Sequence, residues 1–250
     1  MPFSPIQLLP AERFHDRHDA GRELGEKLAN AGYVDRHDVI VLALPRGGVP
    51  VGFEVARRLG APLDVFLVRK LGVPGHEELA MGAIATGGVR VLNEHVVRQI
   101  RIAPELIERV ARREQAELER RQQAYRGSLP PPEIAGRTVI LIDDGLATGA
   151  SMRAAAEAVR KLSPAKTIVA VPVASPETCE EFHRLVDEVF CLLTPASFSA
   201  VGIWYERFDQ TSDEEVRDLL DRLARANRVV AKSSNIQTAE PAWPNGEHRG

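Results

Sequence analysis

The sequence predicts an α/β fold in which a mostly parallel, twisted sheet is flanked by helices, with a small covering region over it. Short apolar runs rich in Val and Ile recur along the chain, and each is followed by a stretch with helical character. Runs of this kind are typical of parallel strands buried on both faces. The alternation of strand and helix favours parallel βαβ units.

The composition is that of an ordinary globular chain. It has 250 residues, 44% of them hydrophobic, which is enough for one large domain or two small ones. The formal net charge of −3 gives no sign of a nucleic-acid or membrane surface. Cys179 and Cys191 lack CxxC spacing, so we expect neither a disulfide framework nor a zinc site, and a reducing cytoplasm fits. Residues 1–10 lack the features of a signal peptide, and the longest uncharged run, 189–205, is too short and polar to span a bilayer.

The beginning of the chain predicts an extension followed by a helix and a βαβ unit. Residues 1–12 hold three prolines and are interpreted as an N-terminal extension, with a single domain predicted over residues 13–228. The predicted elements are a helix over 11–31, a strand over 39–44, a helix that ends near Leu59 and a strand over 63–68.

The remaining elements are predicted from the same patterns. Residues 72–88 contain five glycines and Pro74 and are interpreted as a loop. The predicted elements after it are a strand over 89–92, a charged helix over 104–125, a strand from about Arg137, a helix over 152–162, a strand over 167–173, a helix over 176–185, a strand over 189–193 and a helix over 213–226. Residues 229–250 are polar and contain proline, so we expect a disordered tail.

The most informative stretch is residues 139–151, Val-Ile-Leu-Ile-Asp-Asp-Gly-Leu-Ala-Thr-Gly-Ala-Ser. The four apolar residues predict a buried strand, and a loop of small residues and an Ala-rich helix follow the carboxylates Asp143 and Asp144. Backbone N–H groups of such a loop and helix start bind anions, and Gly145 and Gly149 allow close approach. Two carboxylates repel a bare phosphate, so the pattern suits a ligand that also offers ribose hydroxyls or magnesium. The simpler interpretation is a capped helix after a buried strand.

These residues resemble the 5-phosphoribosyl 1-diphosphate (PRPP) loop of the type I phosphoribosyltransferases, and the resemblance covers roughly residues 13–208. It implies that Asp143 and Asp144 face the ribose hydroxyls and contact Mg²⁺ indirectly. At Ala150 the family more often has Gly or Ser, which puts only a minor contact in doubt. The residues implied to bind the ribose phosphate are Gly145, Leu146, Ala147, Thr148, Gly149, Ala150 and Ser151.

A second candidate loop, Pro45-Arg46-Gly47-Gly48, follows the first predicted strand. Its glycines and the arginine could meet an anion at a helix start, although a plain turn explains Arg-Gly-Gly at least as well. The resemblance implies the pyrophosphate loop here, often with a strained or cis peptide. Arg69 and Lys70 end the next predicted strand, where they pair with pyrophosphate or are simply solvated.

The acceptor side is less defined. In the family a mobile segment closes over the active site, and residues 72–88 are the candidate here, with His76, Glu77 and Glu78 as candidate acid, base or orienting groups. Trp204 and Tyr205 belong to an aromatic cluster after the last strand. They either stack on a planar acceptor or pack against the core.

The resemblance implies a cytoplasmic phosphoribosyltransferase of nucleotide metabolism that uses PRPP, Mg²⁺ and a small-molecule nitrogenous acceptor and releases pyrophosphate. Asp143, Asp144 and Lys70 are the expected catalytic residues. Homodimers are common in the family, and neither nucleic acid nor a membrane is expected as a partner. Two alternatives stay open: a non-catalytic PRPP-binding regulator, and a pyrophosphokinase resembling PRPP synthetase, although the chain shows no internal repeat.

Overall fold

The computed structural model describes residues 12–127 and 130–237, and it confirms the predicted fold class. A five-stranded parallel sheet has the order β2-β1-β6-β7-β8, and a separate three-stranded antiparallel sheet has the order β3-β4-β5. The strands are β1 Val39–Ala43, β2 Leu63–Val65, β3 Val68–Val73, β4 His76–Ala85, β5 Val89–Leu92, β6 Thr138–Ile142, β7 Lys166–Val173 and β8 Glu188–Leu193. The helices are α1 Arg17–Asn30, α2 Gly48–Leu59, α3 Glu94–Ile100, α4 Pro104–Arg126, α5 Ala150–Arg160, α6 Pro176–Phe182 and α7 Asp213–Gln237.

Helices cover both faces of the parallel sheet, as the apolar strands require. Successive side chains of a strand point to opposite faces. Val39 and Val41 of β1 therefore join a core cluster with residues of α1, α2 and α7. Ile40 and Leu42 join a second cluster with α5 and α6. Every residue of β1 and β6 is buried, which explains why these two strands are continuous apolar runs in the sequence.

The second strand ends earlier than predicted. The structure has β2 at Leu63–Val65, and the chain then crosses to the antiparallel sheet, where β3 begins at Val68. Two hydrogen bonds guide the crossing: the Phe66 N–H donates to the Ala43 carbonyl over 2.9 Å, and the Leu67 N–H donates to Oγ1 of Thr86 over 2.9 Å. The segment predicted as one strand over 63–68 is therefore divided between the two sheets.

The prediction of a loop over residues 72–88 is wrong. This segment contains most of the β3–β4 hairpin, which pairs with β5 to form the small sheet, called the hood below. Gly75 and Gly87 lie in the turns, but Gly82 lies inside β4, where a Cβ atom would meet the Val91 carbonyl oxygen at 2.3 Å. Glycines serve here for close strand contact as well as for turns, so glycine content alone was a misleading signal. Helix α3 was not predicted.

The two ends of the chain also differ from the prediction. Helix α1 begins at Arg17, because Asp16 accepts a hydrogen bond from the Asp19 N–H and caps the helix there. Helix α7 continues to Gln237, past residue 229 where the tail is predicted to begin. Residues 1–11 and 238–250, which contain most of the predicted extension and tail, lie outside the described residues. Among the described helices, none has the length and apolar character needed to cross a bilayer.

Candidate functional site

The acidic pair lies where β6 leaves the sheet. Asp143 and Asp144 follow Ile142 directly, and Oδ1 of Asp143 accepts a hydrogen bond from the Asp144 N–H over 2.9 Å. The Leu146 N–H then donates to the Val173 carbonyl over 2.8 Å, which fixes the loop to the neighbouring strand β7. The two carboxylates are therefore held at the carboxyl edge of the parallel sheet, where open α/β sheets bind ligands.

The loop after the acidic pair forms an open cradle. Gly149 has φ +68° and ψ 5°, and this left-handed residue turns the chain into α5 at Ala150. Ala147, Thr148, Ala150 and Ser151 of this loop are all exposed. The first N–H groups of an α-helix have no partner within the helix, so the start of α5 offers donors to an anion.

Helix α6 supports this cradle from behind. Oγ1 of Thr178 donates a hydrogen bond to the Ala147 carbonyl over 3.0 Å. A Cβ atom at Gly149 would lie 2.8 Å from Cε2 of Phe182 and 2.9 Å from Cγ2 of Thr178. The side of Gly149 that faces α6 is thus closed by packing, and its conformation depends on the absence of a side chain.

The second predicted loop packs directly against the acidic pair. The Pro45–Arg46 peptide bond is cis, as the resemblance implies for this loop. A Cβ atom at Gly47 would lie 2.0 Å from Oδ2 of Asp144, and one at Gly48 would lie 2.8 Å from the Ile142 carbonyl oxygen. Only glycine permits this approach, so the loops after β1 and β6 meet in one place.

Arg17 joins the same site, although no sequence signal pointed to it. Its Nε donates to Oδ2 of Asp144 over 2.8 Å, and its Nη1 donates to the Asp209 carbonyl over 2.6 Å. The guanidinium carbon lies 3.8 Å from the centre of the Phe208 ring. Arg17 therefore links the start of α1, the acidic pair and the segment after β8.

Burial controls the charge of the acidic pair. It raises the pKa of Asp143 well above the usual carboxyl range, and the neighbouring Asp144 raises it further. Burial also raises the pKa of Asp144, but the Arg17 guanidinium opposes that effect. Tyr205 donates a hydrogen bond to the Asp144 carbonyl over 2.6 Å, and burial raises the pKa of its hydroxyl well above the usual value. Asp143 is thus the carboxyl group of the pair most inclined to keep a proton.

The donor set fits a magnesium ion that is held mainly by its ligand. No group of three or more His, Cys, Asp and Glu residues is arranged to hold a metal within residues 12–127 and 130–237. Asp144 already accepts from Arg17, so the pair alone offers few free oxygens. Mg²⁺ commonly keeps its waters and binds one or two carboxylates together with substrate phosphates. Asp143 and Asp144 suit that arrangement better than a resident metal site.

The predicted basic residues differ in their surroundings. Arg46 is partly exposed, and its nearest carboxylate is Asp213 at 3.8 Å. Arg69 donates from Nε and Nη2 to Oε2 of the buried Glu114 over 3.0 and 2.6 Å. It nevertheless borders a cleft of about 100 Å³ that Asp143 and Ser151 also line. The structure thus brings Arg69 to the edge of the site, and Arg46 lies in the loop that packs on the acidic pair.

The other predicted residues lie in the hood or in the core. Nζ of the exposed Lys70 lies 3.4 Å from Oε2 of Glu78, in the β3–β4 hairpin. The predicted acid and base candidates of this segment are exposed near the tip of the hairpin, namely His76, Glu77 and Glu78. Trp204 and Tyr205 are buried with Phe14 in a third apolar cluster, so the packing alternative describes them best.

Comparison with known proteins identifies the family. A family model described as phosphoribosyl transferase domain matches residues 11–206. Two curated relatives, from Mycobacterium tuberculosis strains CDC 1551 and H37Rv, are each 46% identical over 226 residues, and their names provisionally assign them as phosphoribosyl transferases. The match covers 90% of this chain and 50% of each relative, so the chain spans about half the length of the curated relatives that it matches.

A solved structure is similar over most of the chain. The crystal structure of the protein TT1426 from Thermus thermophilus is 45% identical, with a TM-score of 0.76 over 84% of this chain and 99% of that one. The chain therefore belongs to the family defined by the phosphoribosyl transferase domain.

Proposed function

We propose that this chain transfers the 5-phosphoribosyl group of PRPP to a nitrogenous acceptor and releases pyrophosphate. The observation that supports this proposal is the contact between two loops at the carboxyl edge of the sheet. Gly47 and Gly48 pack on Asp144 and Asp143, beside the cradle at residues 147–151. A ligand with a phosphate at one end and a diphosphate at the other suits two anion-binding loops separated by carboxylates.

Each part of the site has a role in this proposal. The backbone N–H groups of the cradle and the hydroxyls of Thr148 and Ser151 bind the ribose phosphate. Asp143 and Asp144 accept hydrogen bonds from the ribose hydroxyls, and Arg17 favours the ionised form of the second carboxylate and holds it in place. Hydrogen-bond donors and positive charge favour the ionised form of a carboxyl group, so the ribose hydroxyls and an accompanying Mg²⁺ would lower the pKa of Asp143.

The pyrophosphate is held by the loop after β1. Arg46 and the backbone of Gly47 and Gly48 bind it, with Arg69 and Lys70 at the hood side. Departure of the diphosphate leaves positive charge on the sugar, so catalysis consists of positioning both reactants and stabilising charge on the leaving group. Mg²⁺ carried by the diphosphate, with Asp143 and Asp144 as its protein contacts, would neutralise part of that charge. Closure of the hood would exclude water.

A non-catalytic PRPP-binding regulator is the second candidate. The burial of Trp204 and Tyr205 favours it, because the two rings proposed to bind an acceptor are used in packing. The acceptor, a homodimeric assembly and a cytoplasmic location remain predictions of the family resemblance.

Calorimetric titration with PRPP, with and without Mg²⁺, tests the binding site. Ribose 5-phosphate and pyrophosphate serve as controls, and we expect each to bind more weakly than PRPP because each occupies one loop. A pyrophosphate-release assay with purines, pyrimidines and related amines then tests transfer. Binding with turnover supports the transferase, whereas binding without turnover for any acceptor supports the regulator. A folded protein that binds no PRPP would contradict both.

A further inference from the structure

The only two cysteines of the chain come together in space. Cys179 lies on α6 and Cys191 on β8, and their Sγ atoms are 2.8 Å apart. A disulfide bond is about 2.05 Å long, so the sulfur atoms need to approach by only about 0.8 Å. No sign of this contact is visible in their sequence spacing, and both cysteines are free thiols in the structure.

Both backbones that carry the sulfur atoms are fixed. Helix α6 begins with a cap in which the Thr178 N–H donates to Oγ of Ser175 over 3.1 Å. In β8, Cys191 pairs with Val171 of β7, and its carbonyl accepts a hydrogen bond from Nζ of Lys27 over 2.7 Å. The two thiols are thus held opposite each other, and both residues are only partly buried, so a small reagent has access.

We propose that Cys179 and Cys191 form a reversible disulfide that joins α6 to β8, with a low-molecular-weight disulfide of the glutathione type as the oxidant. One cysteine thiolate attacks the small disulfide, which yields a mixed disulfide and one free small thiol. The second cysteine loses its proton and displaces the other small thiol. Two protein thiols and one small disulfide thus give one protein disulfide and two small thiols, so electrons and protons balance.

Burial and the neighbouring Cys179 raise the pKa of the Cys191 thiol well above its usual value. Thiolate is the reactive form, so attack by Cys191 on the small disulfide should be slow.

The disulfide would restrain the helix that supports the cradle. Thr178, next to Cys179 on α6, holds the Ala147 carbonyl, and Phe182 of the same helix packs against Gly149. An ion pair between Arg153 and Glu181 at 2.7 Å also joins α5 to α6. This consequence rests on the proposed function, because it matters only if the cradle binds a phosphate ligand.

Incubation of the folded protein with oxidised glutathione, followed by alkylation and intact-mass analysis without reduction, tests the proposal. We expect the loss of two hydrogen atoms and no alkylated cysteine, and a digest should contain a Cys179–Cys191 crosslinked peptide. Cys191→Ser should accumulate the glutathione adduct on Cys179, and Cys179→Ser should go no further than the adduct on Cys191. The proposed disulfide would be contradicted by any of three results: two alkylated thiols, a stable double adduct, or a crosslink between chains.

Thermal unfolding gives a second measurement that does not depend on any ligand. A disulfide that closes a loop of this length should raise Tm by roughly 6–12 °C in a protein of this size, and a reductant should reverse the rise. An unchanged Tm would contradict the restraint of α6. Because mass and Tm report the disulfide directly, failure to form the disulfide is distinguishable from failure to bind PRPP.

Discussion

Nε of Arg17 donates a hydrogen bond to Oδ2 of Asp144 across 2.8 Å, although 127 positions separate the two residues in the chain. The exposed fractions of their side chains are only 11% and 16%, so water screens the pair weakly. Because the same guanidinium also binds the Asp209 carbonyl and lies over Phe208, one arginine positions both the acidic pair and the segment that follows β8.

Removal of this arginine should weaken both the fold and the site. Arg17→Ala leaves the Asp144 carboxylate largely buried without its partner, so we expect the free energy of unfolding to fall by about 2–4 kcal/mol. PRPP affinity should fall as well, because Asp144 then favours its protonated form. Denaturant unfolding and calorimetry measure the two effects.

A control on the same helix separates the loss of the Arg17–Asp144 ion pair from the loss of one positive charge. Arg22 pairs with Asp19 at a more exposed position, so Arg22→Ala should change stability little. Adding Asp144→Asn to Arg17→Ala should recover part of the lost stability, because no charge is then left unpaired. Equal losses for Arg17→Ala and Arg22→Ala would argue against a special role for Arg17.

The raised pKa of Asp143 predicts the sign of a pH dependence. The folded chain binds this proton more tightly than the unfolded chain, so the contribution of Asp143 to stability falls as pH rises from the ordinary carboxyl pKa through its raised value. Asp143→Asn should therefore gain stability relative to the natural protein over that window, and the two should converge at lower pH. Unfolding free energies measured across the pH range test this, and PRPP affinity should nevertheless fall in the variant.

Asp38 provides a control with the opposite sign. Hydrogen bonds from Arg36 and Thr138 lower the pKa of this carboxyl to about 2. Its contribution is present above the ordinary carboxyl pKa and is lost as pH falls toward about 2. Asp38→Asn should thus lose stability at neutral pH. The same trend in both variants would contradict the assignment for Asp143.

The cradle can be tested by two neighbouring substitutions. Gly149→Ala places a Cβ atom 2.8 Å from Phe182 at a residue with φ +68°, so we expect a loss of about 2–3 kcal/mol in stability and weaker PRPP binding. Thr148→Val removes a hydroxyl whose one described partner is the Ala150 N–H at 3.5 Å, so stability should hold while PRPP affinity falls about fivefold to tenfold. Unaltered affinity in the folded Thr148→Val protein would remove that hydroxyl from the site.

Variants of Arg69 and Glu114 can distinguish a contact with the ligand from a purely structural ion pair. Arg69→Ala and Glu114→Gln both break the ion pair between β3 and α4, so each should reduce stability, by about 1–3 kcal/mol. If Arg69 binds pyrophosphate, only Arg69→Ala should lower the affinity for pyrophosphate, by about tenfold or more. Equal affinities in the two variants would leave Arg69 with the structural role alone. Titration with Mg-pyrophosphate measures the difference.

The sequence predicts well those features that depend on neighbouring residues. Strands β1, β6 and β7 are almost wholly buried, so each is a visible apolar run, and the small residues after β6 form the loop that leads into α5. The β3–β4 hairpin of the hood was missed because its strands carry exposed, charged and glycine residues that also suit a loop.

Features that depend on distant residues could not be predicted in this way. Arg17 is one of many arginines in helices, and only the folded chain places it against Asp144. Cys179 and Cys191 meet because the chain returns from α6 into an edge strand beside β7. In both cases the contact is a tertiary one, so neither local propensity nor spacing in the sequence predicts it.

The pairing of β1 with β6 has a consequence for how the protein would respond to its ligand. Val39 pairs with Thr138, and the hood and α4 lie between these two strands in the sequence. The two loops that form the site therefore become neighbours only when β1 and β6 pair across this long intervening segment. Loop closure over so many residues is entropically costly and slow. A ligand that touches both loops would act as a noncovalent brace across this long-range junction. Its binding should therefore protect the amide protons of β1 and β6 from exchange with solvent more than those of the hood.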